Sequence, residues 1–310
     1  MTWEDDFDLT YLRSINARHP YHFNPSAYRR LSPEVVIKRS RYAELAPWDQ
    51  DKARIAAHAR SATKAVLCSR SASRAHGLAV LGHGHQVELS YIGGTRPKRR
   101  SQWPPGVQFR HRYLSAAETT VLHGMRVTGL ARTLQDLVVI HGLVEGVLAL
   151  DSALRNSTIS PATLESMVLT GPPFHGKPRV RRAVELMDPD SGSPLESLAR
   201  MRLVTAEIPG LATIVSQAEV SVGGRTYRVD FLINGFLVVE VDGMTKYDGS
   251  YGQSTQVALT LERRREVDLL NQGFPVLRLV AADLTLRPDG SCRAVELVTD
   301  ALATWARPAR

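Results

Sequence analysis

The stretch Arg228-Val-Asp-Phe-Leu-Ile-Asn-Gly-Phe-Leu-Val-Val-Glu-Val-Asp-Gly243 decides the reading of this chain. It is two apolar segments around Asn234-Gly235, a pair that favours the left-handed backbone of tight hairpins, so it predicts two antiparallel strands. Residues two apart in a strand share a face, so Glu240 and Asp242 project together while Val239 and Val241 face the core. Two carboxylates side by side on an apolar strand repel each other and lose solvation, a combination that a bound divalent cation relieves. Asp230, on the preceding strand, adds a third oxygen donor. Mg²⁺ or Mn²⁺ suits such hard oxygen ligands, keeps several waters and can activate one against a phosphodiester.

Register decides whether these acids meet. A two-residue Asn234-Gly235 turn pairs Ile233 with Phe236 and sends Asp230 and Glu240 to opposite faces. A three-residue connection, Ile233-Asn234-Gly235 with Gly235 as a left-handed bulge, pairs Asp230 with Val238 and restores a common face. The odd-length connection, or an equivalent bulge, is expected.

Working outward, the C-terminal region reads α-β-β-β-α-β. A helix begins after Ser193, with Pro194 in its first turn and Glu196 three residues past the cap. Strands follow over Ala218–Val222, Tyr227–Ile233 and Phe236–Val241, with Gly223-Gly224 as the first turn. A long helix from about Thr255 to Asn271 stops at Gly273 and crosses to a buried strand in Pro275–Val280. A last helix, Arg293–Trp305, follows.

Each acid also has a plainer reading. Ser193-Pro-Leu-Glu196 is a capping-box pattern, so Glu196 reads equally as a helix cap. Asp230 could pair with Arg225 or Arg228, and Asp242 before Gly243 could be a turn residue. Lys246 reads equally as a surface lysine, and Glu262, Arg263 and Arg265 as a solvated helix face. Glu240 is the hardest to explain structurally, because Phe236-Leu-Val-Val-Glu-Val is otherwise apolar.

The 310 residues suffice for two domains, and 43% apolar content is that of an ordinary globular chain with no membrane-length apolar run. The start, Met1-Thr-Trp-Glu-Asp-Asp, lacks the basic and apolar regions of a signal peptide. Cys68 and Cys292 form no disulfide framework, and a cytoplasmic location is expected. Charge is uneven: residues 1–190 hold 26 Lys/Arg against 17 Asp/Glu, whereas 191–310 hold 13 against 14. A basic front part suits a phosphate-rich partner such as DNA, or simply a soluble surface. Within it, Lys38, Arg39 and Arg41 on a short strand read over Val35–Tyr42, and Arg96, Lys98, Arg99 and Arg100 in the turn-rich loop 93–106, suit phosphate contacts. Helices are expected over Asp49–Ala65, Ser71–Gly77, Gly129–Ile140, Leu143–Leu154 and Pro161–Leu169, and strands over Val87–Ile92 and Val107–Tyr113. The boundaries drawn are 1–169 for the basic domain, 170–192 for a Pro- and Gly-rich connector that includes a basic helix over Val180–Met187, and 193–310 for the acidic-site domain.

Together, Ser193-Pro-Leu-Glu196, Arg228-Val-Asp230-Phe, Val239-Glu240-Val-Asp242-Gly243, Lys246-Tyr247, Glu262-Arg-Arg-Arg265 and Gly273-Phe-Pro-Val-Leu-Arg278 resemble the Vsr-like family called domain of unknown function 559. That family is similar to very-short-patch-repair endonucleases of the PD-(D/E)XK class. The resemblance covers about 90 residues. It implies that Asp230 and Glu240 are metal ligands, supported by Glu196 from the first helix. Asp242 stands where the superfamily carries its lysine, and Lys246 is a cation that could serve in its place. In the front part, Val36-Ile-Lys-Arg-Ser-Arg-Tyr42-Ala, Val66-Leu-Cys-Ser69-Arg-Ser-Ala-Ser-Arg-Ala-His76-Gly-Leu78 and Met125–Leu137 resemble AbiEi-type antitoxin and regulator proteins, which begin with a winged-helix unit.

The expected fold is therefore α/β in class, α+β overall. A restriction-endonuclease-like αβββαβ core follows a mixed α+β region that reads as a degenerate winged helix. The function expected is metal-dependent DNA endonuclease, with catalytic candidates Glu196, Asp230, Glu240, Asp242 and Lys246. The alternatives are a DNA-binding regulator using a nuclease fold as a platform, and an interaction module bound to a toxin–antitoxin partner.

Overall fold

The computed structural model describes residues 3–12, 24–62, 64–171, 173–243 and 254–305, with side chains from 263 onward in the last of these segments. The chain is mixed α+β and divides into two units, Met1–Glu185 and Leu186–Arg310. Among the described residues no helix is long and apolar enough to cross a membrane.

In the first unit, β1 (Thr10–Tyr11), β2 (Tyr28–Arg30) and β3 (Val35–Lys38) form an antiparallel sheet in the order β1-β3-β2. The stretch read as one strand, Val35–Tyr42, instead breaks at Lys38, and Arg39–Glu44 is helical. The apolar run is only Val35-Val36-Ile37, all three buried. Beyond it Lys38, Arg39 and Ser40 are exposed, and a helical turn brings Tyr42 back inside. A five-stranded sheet follows, built from β4 (Ala65–Leu67), β5 (Val87–Tyr91), β6 (Val107–Phe109), β7 (Thr119–Leu122) and β8 (Met125–Thr128), in the order β6-β5-β4-β8-β7. Strands β4, β7 and β8 escape the sequence reading because each is three or four residues long, too short to display a period. Register pairs Ala65 with Tyr91, Leu67 with Leu89 and Leu89 with Phe109, so these odd positions share the face packed on the helix Pro47–Ser61. Helices Leu130–His141, Leu143–Asn156 and Pro161–Leu169 match expectation to within two residues. Within the stretch read as connector, Lys177–Glu185 is helical and buries Val180, Ala183 and Val184 in the first unit.

The second unit has the order α-β-β-β-α-β. The helix Pro194–Thr205 is capped by Ser193 Oγ, which accepts from Glu196 N. Strands β9 (Ile214–Val222), β10 (Arg225–Ile233) and β11 (Leu237–Asp242) run antiparallel, the helix Ser254–Asn271 crosses over, and β12 (Val276–Val280) pairs parallel with β11. The helix Arg293–Trp305 has the expected limits. One apolar cluster, with Phe231, Ile233, Leu237, Val239 and Leu279, packs on Ala199, Leu203 and Val298, while Ala218, Val220, Val229 and Val238 form another with Leu269.

Candidate functional site

The β10–β11 connection has three residues, as the common-face argument requires, but it is Asn234-Gly235-Phe236, one residue later than expected. Ile233 pairs with Leu237 and Phe231 with Val239. Asn234 and Gly235 both adopt positive φ, 50° and 72°. Asn234 also fixes the preceding loop: its Oδ1 accepts from Ala212 N at 2.8 Å and Thr213 N at 3.0 Å, and its Nδ2 donates to Gly210 O at 2.7 Å. Extending this register by one step sets Asp230 directly across from Glu240, rather than opposite Val238.

The ladder ends there. Asp230 Oδ2 accepts from Val241 N at 2.8 Å, so the side chain takes an amide that a further cross-strand bond could have used. On the other side of β10, pairing is regular at Val229–Ala218 and at Phe231–Ser216 but interrupted between them, where Gln217 has φ of 49°. Val229 packs in the cluster around Leu269 and Phe231 in the other, although residues two apart share a face in a regular strand. The distortion at Gln217 thus coincides with the point at which β10 changes the face it buries. A non-glycine residue in the left-handed region costs about 1–3 kcal/mol and persists where its surroundings hold it.

What holds it is acidic. Gln217 Nε2 donates to Glu196 Oε2 at 2.6 Å and reaches Asp230 Oδ1 at 3.4 Å, while Gly192 N donates to Glu196 Oε2 at 2.9 Å. Glu196, 7% exposed, therefore turns to Gly192 rather than closing a capping box on Ser193. A side chain at Gly192 would stand 3.0 Å from Glu196 Oε2 and 3.1 Å from Gln217 Nε2, so the glycine makes room for this contact.

Burial raises Asp230 above the usual carboxylate range; the Val241 amide opposes that shift and the Glu196 charge adds to it. Burial also pushes Glu240 up to about 7, with Arg265 pulling the other way and Asp230 adding to the rise. Arg265 forms an ion pair with Glu240 and donates to Arg228 O at 2.8 Å. Arg225 is 3.8 Å from Asp268, and among the described residues Asp230 makes no ion pair with Arg225 or Arg228.

The sequence-predicted residues thus separate. Glu196, Asp230 and Glu240 form one connected group through Gln217 and their shared electrostatics. Asp242 lies a turn of the pleat further on and is more exposed, 3.5 Å from Arg278, which also reaches Glu266 at 3.4 Å. Lys246 lies outside the described residues. Arg263 and Arg264 are exposed, whereas Arg265 turns inward. Gln217, Gly192 and Arg265's role at Glu240 carry no sequence signal: the strand read over Ala218–Val222 starts at Ile214, and Gln217 lies just outside the stretch read as strand.

In the first unit, Lys38, Arg39, Arg96, Lys98, Arg99 and Arg100 are exposed. Arg39 donates to Pro25 O at 3.0 Å, and Arg41 is 3.8 Å from Glu44. The four cations of the 96–100 loop make no ion pair among the described residues. Arg132 and Asp136 pair within their helix at 3.0 Å, extended by Arg112 and Glu118. A buried Ser69, His141 and Glu88 group also occurs, but His141 Nε2 faces both Ser69 Oγ (2.9 Å) and Glu88 Oε1 (3.1 Å). One nitrogen serves both partners and Ser69 is wholly buried, so the group ties the helix Ser69–Ala75, β5 and the Leu130–His141 helix together rather than activating a nucleophile. No protein-family model, curated protein or solved structure matches this chain.

Proposed function

We propose that Leu186–Arg310 is a Vsr-like, PD-(D/E)XK-type domain that hydrolyses DNA phosphodiester bonds, with Asp230 and Glu240 as its central acids and Glu196 behind them. The observation that carries the reading is Asp230 coupled to Glu240 just past the last pair of the β10–β11 ladder, both carboxyls raised by burial, Asp230 further by the Glu196 charge and Glu240 further by the Asp230 charge. Such a pair is short of positive charge. Magnesium is commonly held by one or two carboxylates, with waters and substrate oxygens completing its shell, so Asp230 and Glu240 fit as its protein ligands. Among the described residues no group of three such side chains converges closely enough to hold an ion alone, and Asp242 is engaged by Arg278. When bound, the cation would supply Lewis-acid activation of water and phosphate. The chain's own contributions are to fix Asp230 through Val241, to anchor Glu196 through Gly192 and Gln217, and to keep Arg265 beside Glu240. The basic first unit would grip the duplex through Lys38, Arg39, Arg41 and the 96–100 loop.

The test is cleavage of supercoiled plasmid and of mismatched duplex by the full chain in Mg²⁺ or Mn²⁺. Asp230→Asn and Glu240→Gln should each lower the rate by ~100-fold or more, the scale of losing one charge-stabilising group. Undiminished cleavage by either variant would overturn the site assignment.

A second reading has its own support. Arg265 on Glu240 and Arg278 on Asp242 already neutralise two of the acids, which suits a DNA-binding regulator, or a toxin–antitoxin partner, built on a nuclease fold. It requires DNA binding without metal-dependent cutting, unchanged in Asp230→Asn.

A further inference from the structure

A cavity of about 530 Å³ opens in the first unit where the ends of β5 and β6 meet the helix Pro47–Ser61. Register explains its aromatic wall. Tyr91 and Phe109 lie on the same face of neighbouring strands, their rings stacked at 5.2 Å and 14°, and Trp103 meets Phe109 edge-on at 5.5 Å and 64°. Trp103 is itself pinned, its Nε1 donating to Lys98 O at 2.7 Å. All three rings are half-buried, so the wall is covered behind and open in front.

A polar side chain also lines the cavity. His58 lines it, is 4% exposed, and makes no hydrogen bond through its ring among the described residues. The imidazole therefore keeps its hydrogen-bonding capacity for whatever occupies the cavity. Burial, with the nearby Arg54 charge, lowers His58 to about 4, so at neutral pH the ring offers one donor and one acceptor. At the rim stand Lys64 and Lys98, both exposed and without an ion pair among the described residues, against one carboxylate, Glu34. Lys98 belongs to the loop that also carries Arg96, Arg99 and Arg100.

An aromatic wall, a neutral donor–acceptor edge and a cationic rim match a planar heterocycle bearing a phosphate. We infer that this cavity receives one unpaired nucleobase, stacked against the Tyr91–Phe109–Trp103 wall and facing His58, with its phosphate at Lys64 and Lys98. The volume lies in the range of small-ligand sites, about 300–1,000 Å³, and admits one nucleotide rather than a duplex. The unpaired base can come from a single strand or from a free nucleotide. This inference does not rest on the nuclease reading, since every residue it uses lies in the first unit.

The test is fluorescence anisotropy of the full chain with a labelled oligo(dT), competed by unlabelled duplex of the same length and by free nucleoside monophosphates. Trp103→Ala should weaken oligo(dT) binding by roughly 5- to 150-fold, the scale of one base–aromatic stack, and leave duplex binding within a factor of two. His58→Leu, which keeps the buried volume and removes the edge, should weaken the single-stranded probe in the same selective way. Competition by monophosphates identifies free nucleotide as the source; its absence identifies the single strand. Failure of the wild-type chain to bind either, or unchanged oligo(dT) affinity in both variants, overturns the inference. Loss of plasmid cleavage in Asp230→Asn is a separate result that leaves it untouched.

Discussion

Gln217 spans the gap between Glu196 and Asp230, donating to Glu196 Oε2 at 2.6 Å from a backbone held at φ of 49°. The strain and the hydrogen bond belong to one arrangement, because the left-handed turn accompanies the interruption of the β9–β10 ladder opposite Asp230. Removing the amide should cost more than relieving the turn returns. Gln217→Ala is expected to destabilise the second unit by about 1–3 kcal/mol, the cost of leaving a buried charged acceptor short of a donor. Gln217→Gly, which accepts positive φ freely, should lose less. Urea unfolding of both variants checks the order, and a glycine variant weaker than the alanine one would contradict it.

Glu240 carries a pH signature. Its folded-state value of about 7 lies above the ordinary 4.5, so folding favours its protonated form. The associated stability is fully present below about 4.5, declines as pH rises, and is gone above about 7. Arg265, Asp230, Arg278 and Asp242 all act on this group, the arginines lowering and the acids raising it. A carboxyl-detected NMR titration of glutamate-labelled chain should show one resonance titrating near 7 that is missing in Glu240→Gln. A spectrum with all glutamates near 4.5 would remove the desolvated-acid description.

Much of this site was legible in the residues because its strands are strongly patterned. Val238-Val-Glu-Val-Asp marks a buried strand with intruding acids, and the need for Asp230 to reach the same face requires an odd-length connection. The loop position was off by one residue, because Asn234-Gly235 supplies two left-handed residues whichever neighbour joins them. What could not be read was tertiary. Gln217 falls just before the strand read from Ala218, Arg265 looks like part of a charged helix face, and the buried His58 like an ordinary helix position. Each acquires its role from a segment distant in sequence. Asp242 and Glu240 share a face as period two demands, yet Glu240 pairs with Arg265 and Asp242 lies by Arg278.

Arg265 should behave as a stand-in for the missing positive charge. Arg265→Ala leaves Glu240 and Asp230 repelling each other with less compensation, so Glu240 is expected to rise above its present value. A double-mutant cycle with Glu240→Gln should return a coupling of roughly 1–3 kcal/mol, as for a half-buried hydrogen-bonded charge pair. The same variant gives a cation test independent of activity. Millimolar Mg²⁺ should raise the melting temperature of Arg265→Ala more than that of the wild type, and should not raise that of Glu240→Gln. Equal shifts in all three would show that the acids are not where the ion acts.

The exposed 96–100 loop makes a prediction about salt rather than about strength alone. Arg96, Arg99 and Arg100 make no ion pair among the described residues, so their charges are available to phosphates at no cost of breaking internal bridges. Every phosphate neutralised on duplex DNA releases condensed counterions, and each cation removed from the contact should lower the slope of log affinity against log salt by roughly 0.9. Arg99→Ala with Arg100→Ala should therefore flatten the slope by about two such steps while leaving unfolding unchanged, since exposed and unpaired charges contribute little to stability. Lys38→Ala with Arg41→Ala offers the matched comparison on the β3 side, where Arg41 already sits 3.8 Å from Glu44 and should return the smaller change. Parallel titrations of anisotropy against KCl separate the two. If neither pair alters the slope, the positive charge of the first unit serves solubility and not DNA.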